Sequence, residues 1–240
     1  HGGRLWHPPN EDCGVRFHFT LPVSPAVTTG EWRVIKEQKP TVFVVDDDAA
    51  VRDSLRLLLK SVGLPVEVFE SGQDFLDADR DDRPGCLVLD IRMPGMSGLE
   101  LQVKLNERHS ILPIIFITGH GDVPMAVEAM QAGAVDFIQK PFRDQDLLDR
   151  INQALDKDAG SRRMLAERNM IRKRLESLTP REREVLDLVV AGKANKVIAG
   201  DLNLSQRTVE IHRARVMEKM EAHSLAHLVR MVLEVERPEA

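Results

Sequence analysis

The sequence predicts an α/β chain: a five-stranded, doubly wound parallel sheet followed by an all-α helix-turn-helix domain. Three observations carry this. Between Thr41 and Leu155, short β-branched or apolar runs alternate five times with apolar residues at helical spacing, and repeated βα units make a parallel sheet covered on both faces. Four of those runs finish in a polar residue: Asp46/Asp47, Asp90, Thr118 and Lys140. Beyond Leu178 only helical patterns remain, opened by a capping signal and broken by a short turn.

Composition bounds what this chain does. Its 240 residues are 42% hydrophobic and 30% charged, which describes a globular protein of one large domain or two ordinary ones. No apolar run approaches the roughly 18 residues of a membrane span, and no basic segment precedes an apolar export signal. Cys13 and Cys86 are too few for a disulfide framework and suit a reducing cytoplasm, the expected location. Tyr is absent and aromatics are 4%, which argues against binding single strands by base stacking. The net charge of -5 is unevenly placed. Residues 38–158 hold thirteen basic and twenty-two acidic residues, residues 159–177 six and two, and residues 178–240 ten of each. An acidic front, a basic joint and a balanced rear imply two domains with different partners. Residues 1–37, with several prolines and no sustained periodicity, read as a disordered or non-native N-terminal extension. Their His7, Cys13 and His18 fit no zinc spacing.

In order, Thr41–Val45 reads as a buried strand, with Asp48 as cap of a helix from Ala49 to Val62 that Gly63 stops. Val66–Phe69 is a short strand, and a helix begins at Gln73. Leu87–Leu89 is the third strand, running into Asp90 and a Pro/Gly-rich loop before the helix over Leu99–Leu105. Pro113–Thr118 is the fourth. His120 lies in the following loop, and Asp122 caps a helix to Ala132. Ala134–Ile138 is the fifth strand, and Asp144–Leu155 the last helix of this domain. The segment 159–177 reads as a solvated helical linker, too short in heptads for a coiled coil.

In a parallel sheet all strand C-termini lie on one edge, so the four polar strand ends converge. Adjacent carboxylates repel, and a hard cation with oxygen ligands, Mg²⁺, relieves them. A hydroxyl and an ammonium beside them suit a phosphoryl group. These residues resemble a response-regulator receiver domain, which has a flavodoxin-like fold. The resemblance implies Asp90 as phosphorylation site, Thr118 and Lys140 as the residues that act on the phosphoryl group, and Thr118 and Phe137 as the switch pair. It implies metal ligation by Asp46, Asp47, Asp90 and the backbone carbonyl of Arg92, and a cis Lys140-Pro141 bond. Phe137 stands where the family more often has Tyr. An aspartyl-phosphate phosphatase of the haloacid-dehalogenase type needs a second acid two residues after its nucleophile; here that position is Arg92, which rules it out.

In the rear, Thr179, Pro180 and Glu182 form a capping box ahead of Val185, Leu186, Leu188 and Val189. Asn195–Leu202 is a second helix, Asn203–Ser205 a turn, Gln206–Met220 a third helix and Leu225–Val235 a fourth. Two helices across a short turn, the later one basic, describe a helix-turn-helix. The motifs Leu178-Thr-x-Arg-Glu and Thr208-Val-x-x-His212 resemble the LuxR-type output domain of FixJ/NarL response regulators. On that reading Glu210, Ile211, Arg213 and Ala214 face bases, while Lys193, Lys196, Arg207, Arg215 and Lys219 hold phosphates. Thr208 belongs to the same interface, His212 either contacts a phosphate there or packs, and Val209, Val216 and Met220 belong to the core. Glu210 either accepts from cytosine N4 or is merely solvated. The implied protein is no turnover enzyme. It is a transcription regulator that takes phosphate from a sensor histidine kinase, dimerises, binds promoter DNA and meets RNA polymerase.

Overall fold

The computed structural model describes residues 4–6, 18–20, 39–78, 83–119 and 123–236. Arg4–Trp6 and His18–Thr20 pair as a short antiparallel ribbon. The rest of the 1–37 extension, including His7 and Cys13, lies outside the described residues, as do His120 and Asp122.

Five parallel strands follow: β1 (Thr41–Val45), β2 (Val66–Phe69), β3 (Gly85–Asp90), β4 (Ile114–Thr118) and β5 (Asp136–Gln139), in spatial order β2-β1-β3-β4-β5. Helices α1 (Ala49–Ser61), α2 (Gly72–Asp77), α3 (Gly98–Glu107), α4 (Val123–Gln131) and α5 (Asp144–Glu176) connect or follow them. The period-two side-chain alternation of each strand divides the core in two. Phe43, Val45, Leu87, Leu89 and Phe116 pack with Phe75, Leu101, Leu105 and Ala129 on one face. Val42, Val44, Val88, Ile115 and Ile117 pack with Leu55, Leu59, Leu147 and Ile151 on the other. Because β1 and β3 are buried on both sides, their sequences read as unbroken apolar runs. Cys86 sits in the second of these cores, where burial, with the charge of Asp158 adding to it, pushes its thiol up to about 12. It is inert.

Two elements depart from the sequence reading. The fifth strand begins at Asp136 rather than Ala134, because Ala134 N–H closes the end of α4 on the Ala129 carbonyl while Gly133 takes φ +98°. That is a Schellman-type helix end. More consequentially, α5 does not stop near Leu155. It runs unbroken for 33 residues, since its one interior glycine, Gly160, weakens a helix by about 1 kcal/mol where a proline would by about 3. The expected linker is therefore the second half of the same helix.

The rear half is α6 (Pro180–Val190), α7 (Asn195–Asp201), α8 (Gln206–Lys219) and α9 (Leu225–Glu236). Its core joins Val185, Leu186, Ile198, Val209, Val216, Met220, Leu228 and Val232 to Ile171 and Leu175 from the end of α5. Thr179 with Glu182 makes the expected capping box, and the Ser205 hydroxyl caps α8 through Thr208 N–H.

Candidate functional site

β1, β3 and β4 deliver Asp46, Asp90 and Thr118 to one edge of the sheet, 1%, 8% and 3% exposed respectively. The loop after β5 adds Lys140. Its ammonium donates to Asp46 Oδ2 at 2.9 Å and to Asp90 Oδ1 at 2.8 Å. The second Asp90 oxygen accepts from Arg92 N–H at 2.7 Å, and Asp46 Oδ1 from Asp48 N–H at 2.9 Å. Burial raises the Asp90 carboxyl above its ordinary value, against the hydrogen bond and charge of Lys140. Burial also works against the Lys140 cation, but its bonds to Asp90 and Asp46 outweigh that and raise it. A cation thus bridges two carboxylates that would otherwise repel one another.

Asp47 is exposed beside Asp46, and the Thr118 hydroxyl turns to the Gly119 carbonyl. Phe137 is 37% exposed on β5, and Lys140-Pro141 is cis. Among the described residues no group of three His, Cys, Asp or Glu side chains is placed to hold a metal; Lys140 bridges Asp46 and Asp90. The donor set itself, all carboxylate and carbonyl oxygen, suits a hard divalent cation.

Sequence reasoning missed Arg52. It is buried on α1, where its guanidinium donates to the Asp46 carbonyl at 2.8 Å and to Glu70 at 3.1 Å. The signal was its spacing: Arg52, Leu55 and Leu59 share one buried helix face.

The second constellation lies on α7 and α8. Arg207, Glu210, Ile211, Ala214 and Arg215 are exposed on α8, and Lys193 and Lys196 near the start of α7. Lys193 pairs with Asp201 at 2.7 Å, a surface contact worth about 0–1 kcal/mol and readily exchanged. Thr208 hydrogen-bonds the Ser205 hydroxyl. His212 is half-buried, its Nδ1 without a partner among the described residues. Val209, Val216 and Met220 are buried, as expected.

Two of the expected DNA-facing cations have partners within the domain. Arg213 is half-buried and its guanidinium donates to Asn195 Oδ1, joining α8 to α7. Lys219 donates to Glu182 at 2.7 Å and to the Ser177 carbonyl at 3.1 Å, so it braces the domain.

Glu182, only 2% exposed, is held down at about 2, from an ordinary 4.5, by the Lys219 ammonium and by Thr179 N–H. A depressed carboxyl contributes stability that is complete above its unfolded value and lost as pH falls through the folded one. The thermal midpoint of the rear half is therefore expected to drop between pH 4.5 and about 2. Calorimetry on Glu182→Gln should show a flatter profile across that window; an equal slope would contradict the assignment.

The family pattern for the response regulator receiver domain matches residues 42–152, and that for bacterial regulatory proteins of the luxR family matches residues 176–232. The chain is 52% identical over 193 residues to the transcriptional regulatory protein FixJ of Rhizobium meliloti, covering 80% of this chain and 95% of that one. It is 50% identical over 196 residues to the transcriptional regulatory protein TdiR of Thauera aromatica, covering 80% and 85%. Among solved structures, the response regulator StyR superposes with a TM-score of 0.75 at 49% identity, covering 82% of this chain and 99% of that one. Full-length FixJ from B. japonicum superposes at 0.52 with 46% identity, covering 82% and 98%.

Proposed function

Since the chain belongs to the response regulators that join a receiver domain to a LuxR-type DNA-binding domain, we propose that Asp90 is its phosphorylation site and that phosphate there governs DNA binding. Phosphorylation-dependent transcription regulation is the activity this architecture supports. The observation that carries the assignment is the Lys140 ammonium, shared between Asp46 and Asp90 at the strand edge. Residues 38–158 are assigned as the receiver, 159–177 as the helical linker and 178–240 as the DNA-binding domain, whose core also takes the last turns of α5.

An ionised Asp90 oxygen attacks the phosphoryl group carried by a sensor histidine kinase. A P–O bond forms to Asp90 as the bond to the donor nitrogen breaks. Lys140 follows the new charge from the carboxylate to a phosphoryl oxygen, and Thr118 turns its hydroxyl from Gly119 to another. Mg²⁺, held by Asp46, Asp47, Asp90 and the Arg92 carbonyl, would neutralise the gathered negative charge. Phe137 moves into the space Thr118 leaves. The α4–β5 face, where Val127, Met130 and Phe137 are exposed, then pairs with a second copy. The protein accepts phosphate and loses it slowly, with no other turnover. It works in the cytoplasm beside RNA polymerase.

Arg207 and Arg215 grip phosphates with Lys193 and Lys196, while Glu210, Ile211 and Ala214 face base edges, flanked by Thr208 and His212. Genome-wide footprinting with and without acetyl phosphate tests the whole reading. It should show protected promoters that strengthen on phosphorylation, and identical footprints would overturn it. Arg207→Ala and Arg215→Ala should each lower affinity on every sequence and reduce the salt dependence by about one ion. A change confined to one base position would contradict the phosphate role.

A further inference from the structure

Outside both constellations lies a buried charge cluster. Asp158, on α5, is 1% exposed. Its carboxylate accepts from Gly85 N–H at 2.9 Å, at the N-terminal end of β3, and from Arg162 Nε at 2.9 Å. Arg162 in turn donates to the Arg83 carbonyl. The pair thus fastens α5 to the opposite end of the strand that presents Asp90.

Asp158 and Arg162 also flank Gly160, two residues to either side. Gly160 is exposed, and open space surrounds it where a Cβ would stand, so no packing demands a glycine. From Arg163 to Met170 nearly every residue is exposed. Further on, α5 is anchored at Ile171 and Leu175 in the rear core and at Arg174, which donates to the Met220 carbonyl and pairs with Glu221. Roughly 20 Å of helix separates Asp158 from Ile171. The weakest point of that helix, its glycine, is stapled by an i,i+4 ion pair that also grips the sheet.

We propose that Asp158 and Arg162 form a latch that holds α5 straight across Gly160, so that the DNA-binding half follows the receiver as one piece. With the latch open, the helix bends at Gly160 and receiver rearrangements dissipate there. These are positioning residues, resting on the regulatory reading above only for the signal they transmit.

The test uses the full chain carrying Cys13→Ser, with spin labels at Lys60→Cys and Asp187→Cys, both exposed positions; Cys86 is buried. Pulsed dipolar spectroscopy should give a narrow distance distribution that Arg162→Gln and Asp158→Asn broaden. The same variants should accept phosphate on Asp90 to the normal extent from acetyl phosphate. Their phosphorylation-stimulated affinity, for a duplex selected by the parent chain from a random library, should fall from about 10-fold to under about 2-fold. Adding Gly160→Ala to Arg162→Gln should restore both the narrow distribution and the stimulation. A merely structural role would lower the melting temperature and leave distance width and stimulation untouched, which would overturn the latch. Absence of stimulation in the parent chain would refute the regulatory reading instead, and the distance width alone would then decide for or against the latch.

Discussion

Asp90→Asn is expected to leave the receiver folded and to remove all response to acetyl phosphate. The amide has nearly the shape of the carboxylate and keeps one acceptor oxygen, so either the Lys140 contact at 2.8 Å or the Arg92 N–H contact at 2.7 Å survives. Burial disfavours the Asp90 charge, and removing that charge offsets part of the lost pairing. Stability should shift by about 1–2 kcal/mol. Function has no such compensation, because an amide cannot take the phosphoryl group. Stimulation of DNA binding, about 5- to 150-fold for a typical coupling, should fall to none, and dimerisation with it. Titration of a promoter duplex with and without acetyl phosphate, beside light scattering, measures both. A variant that still dimerised on treatment would remove Asp90 from the mechanism.

The largest loss of stability is expected from Gly85→Ala. A Cβ on Gly85 would lie 1.9 Å from the Thr41 carbonyl oxygen and 3.1 Å from the Phe43 ring. Thr41 and Gly85 are register partners of β1 and β3, and Thr41 N–H is tied to the Pro84 carbonyl at 3.0 Å. Neither backbone has room to retreat inside a sheet buried on both faces. The clash should therefore open the central strand pair and release Asp158 from the Gly85 amide. A loss of roughly 4 kcal/mol or more places this among the severe single substitutions. Because the receiver and the rear half have cores of their own, calorimetry should resolve two transitions. The receiver transition should fall by more than about 15 °C while the rear one holds. A receiver transition within a few degrees of the parent would show that the strands can separate without penalty.

The parallel topology made much of this legible in advance. Once five βα units are recognised, Asp46, Asp90, Thr118 and Lys140 must share an edge, whatever the details of packing. Helix caps were legible too, since Asp48, Thr179 and Ser205 act on amides two or three residues away. What escaped were partnerships between distant elements. Asp158 looks like one more acid in a charged run, and nothing local says that it meets Gly85 across 73 positions. Arg213 and Lys219 carry the right charge at the right spacing for DNA, yet Asn195 and Glu182 hold them. Charge patterns show which residues are available on a helix; only packing shows which are already engaged. The fifth strand slipped by two residues for a similar reason, since the Ala134 amide serves the end of α4.

The intradomain partners of Lys219 and Arg213 bear on how strongly the rear domain would be drawn to DNA. The rear domain is balanced between acids and bases, two of its cations are paired within the domain, and Glu210 stands exposed among the rest. Sequence-independent attraction to DNA grows with each phosphate neutralised, so this surface is expected to hold arbitrary duplex weakly. A bacterial chromosome offers on the order of a million competing sites, and a weak grip on all of them leaves more of the protein free to search. On the proposed reading, discrimination would come from how little time is lost on wrong sequence, with the proposed pairing of two copies supplying the tenacity that one copy lacks.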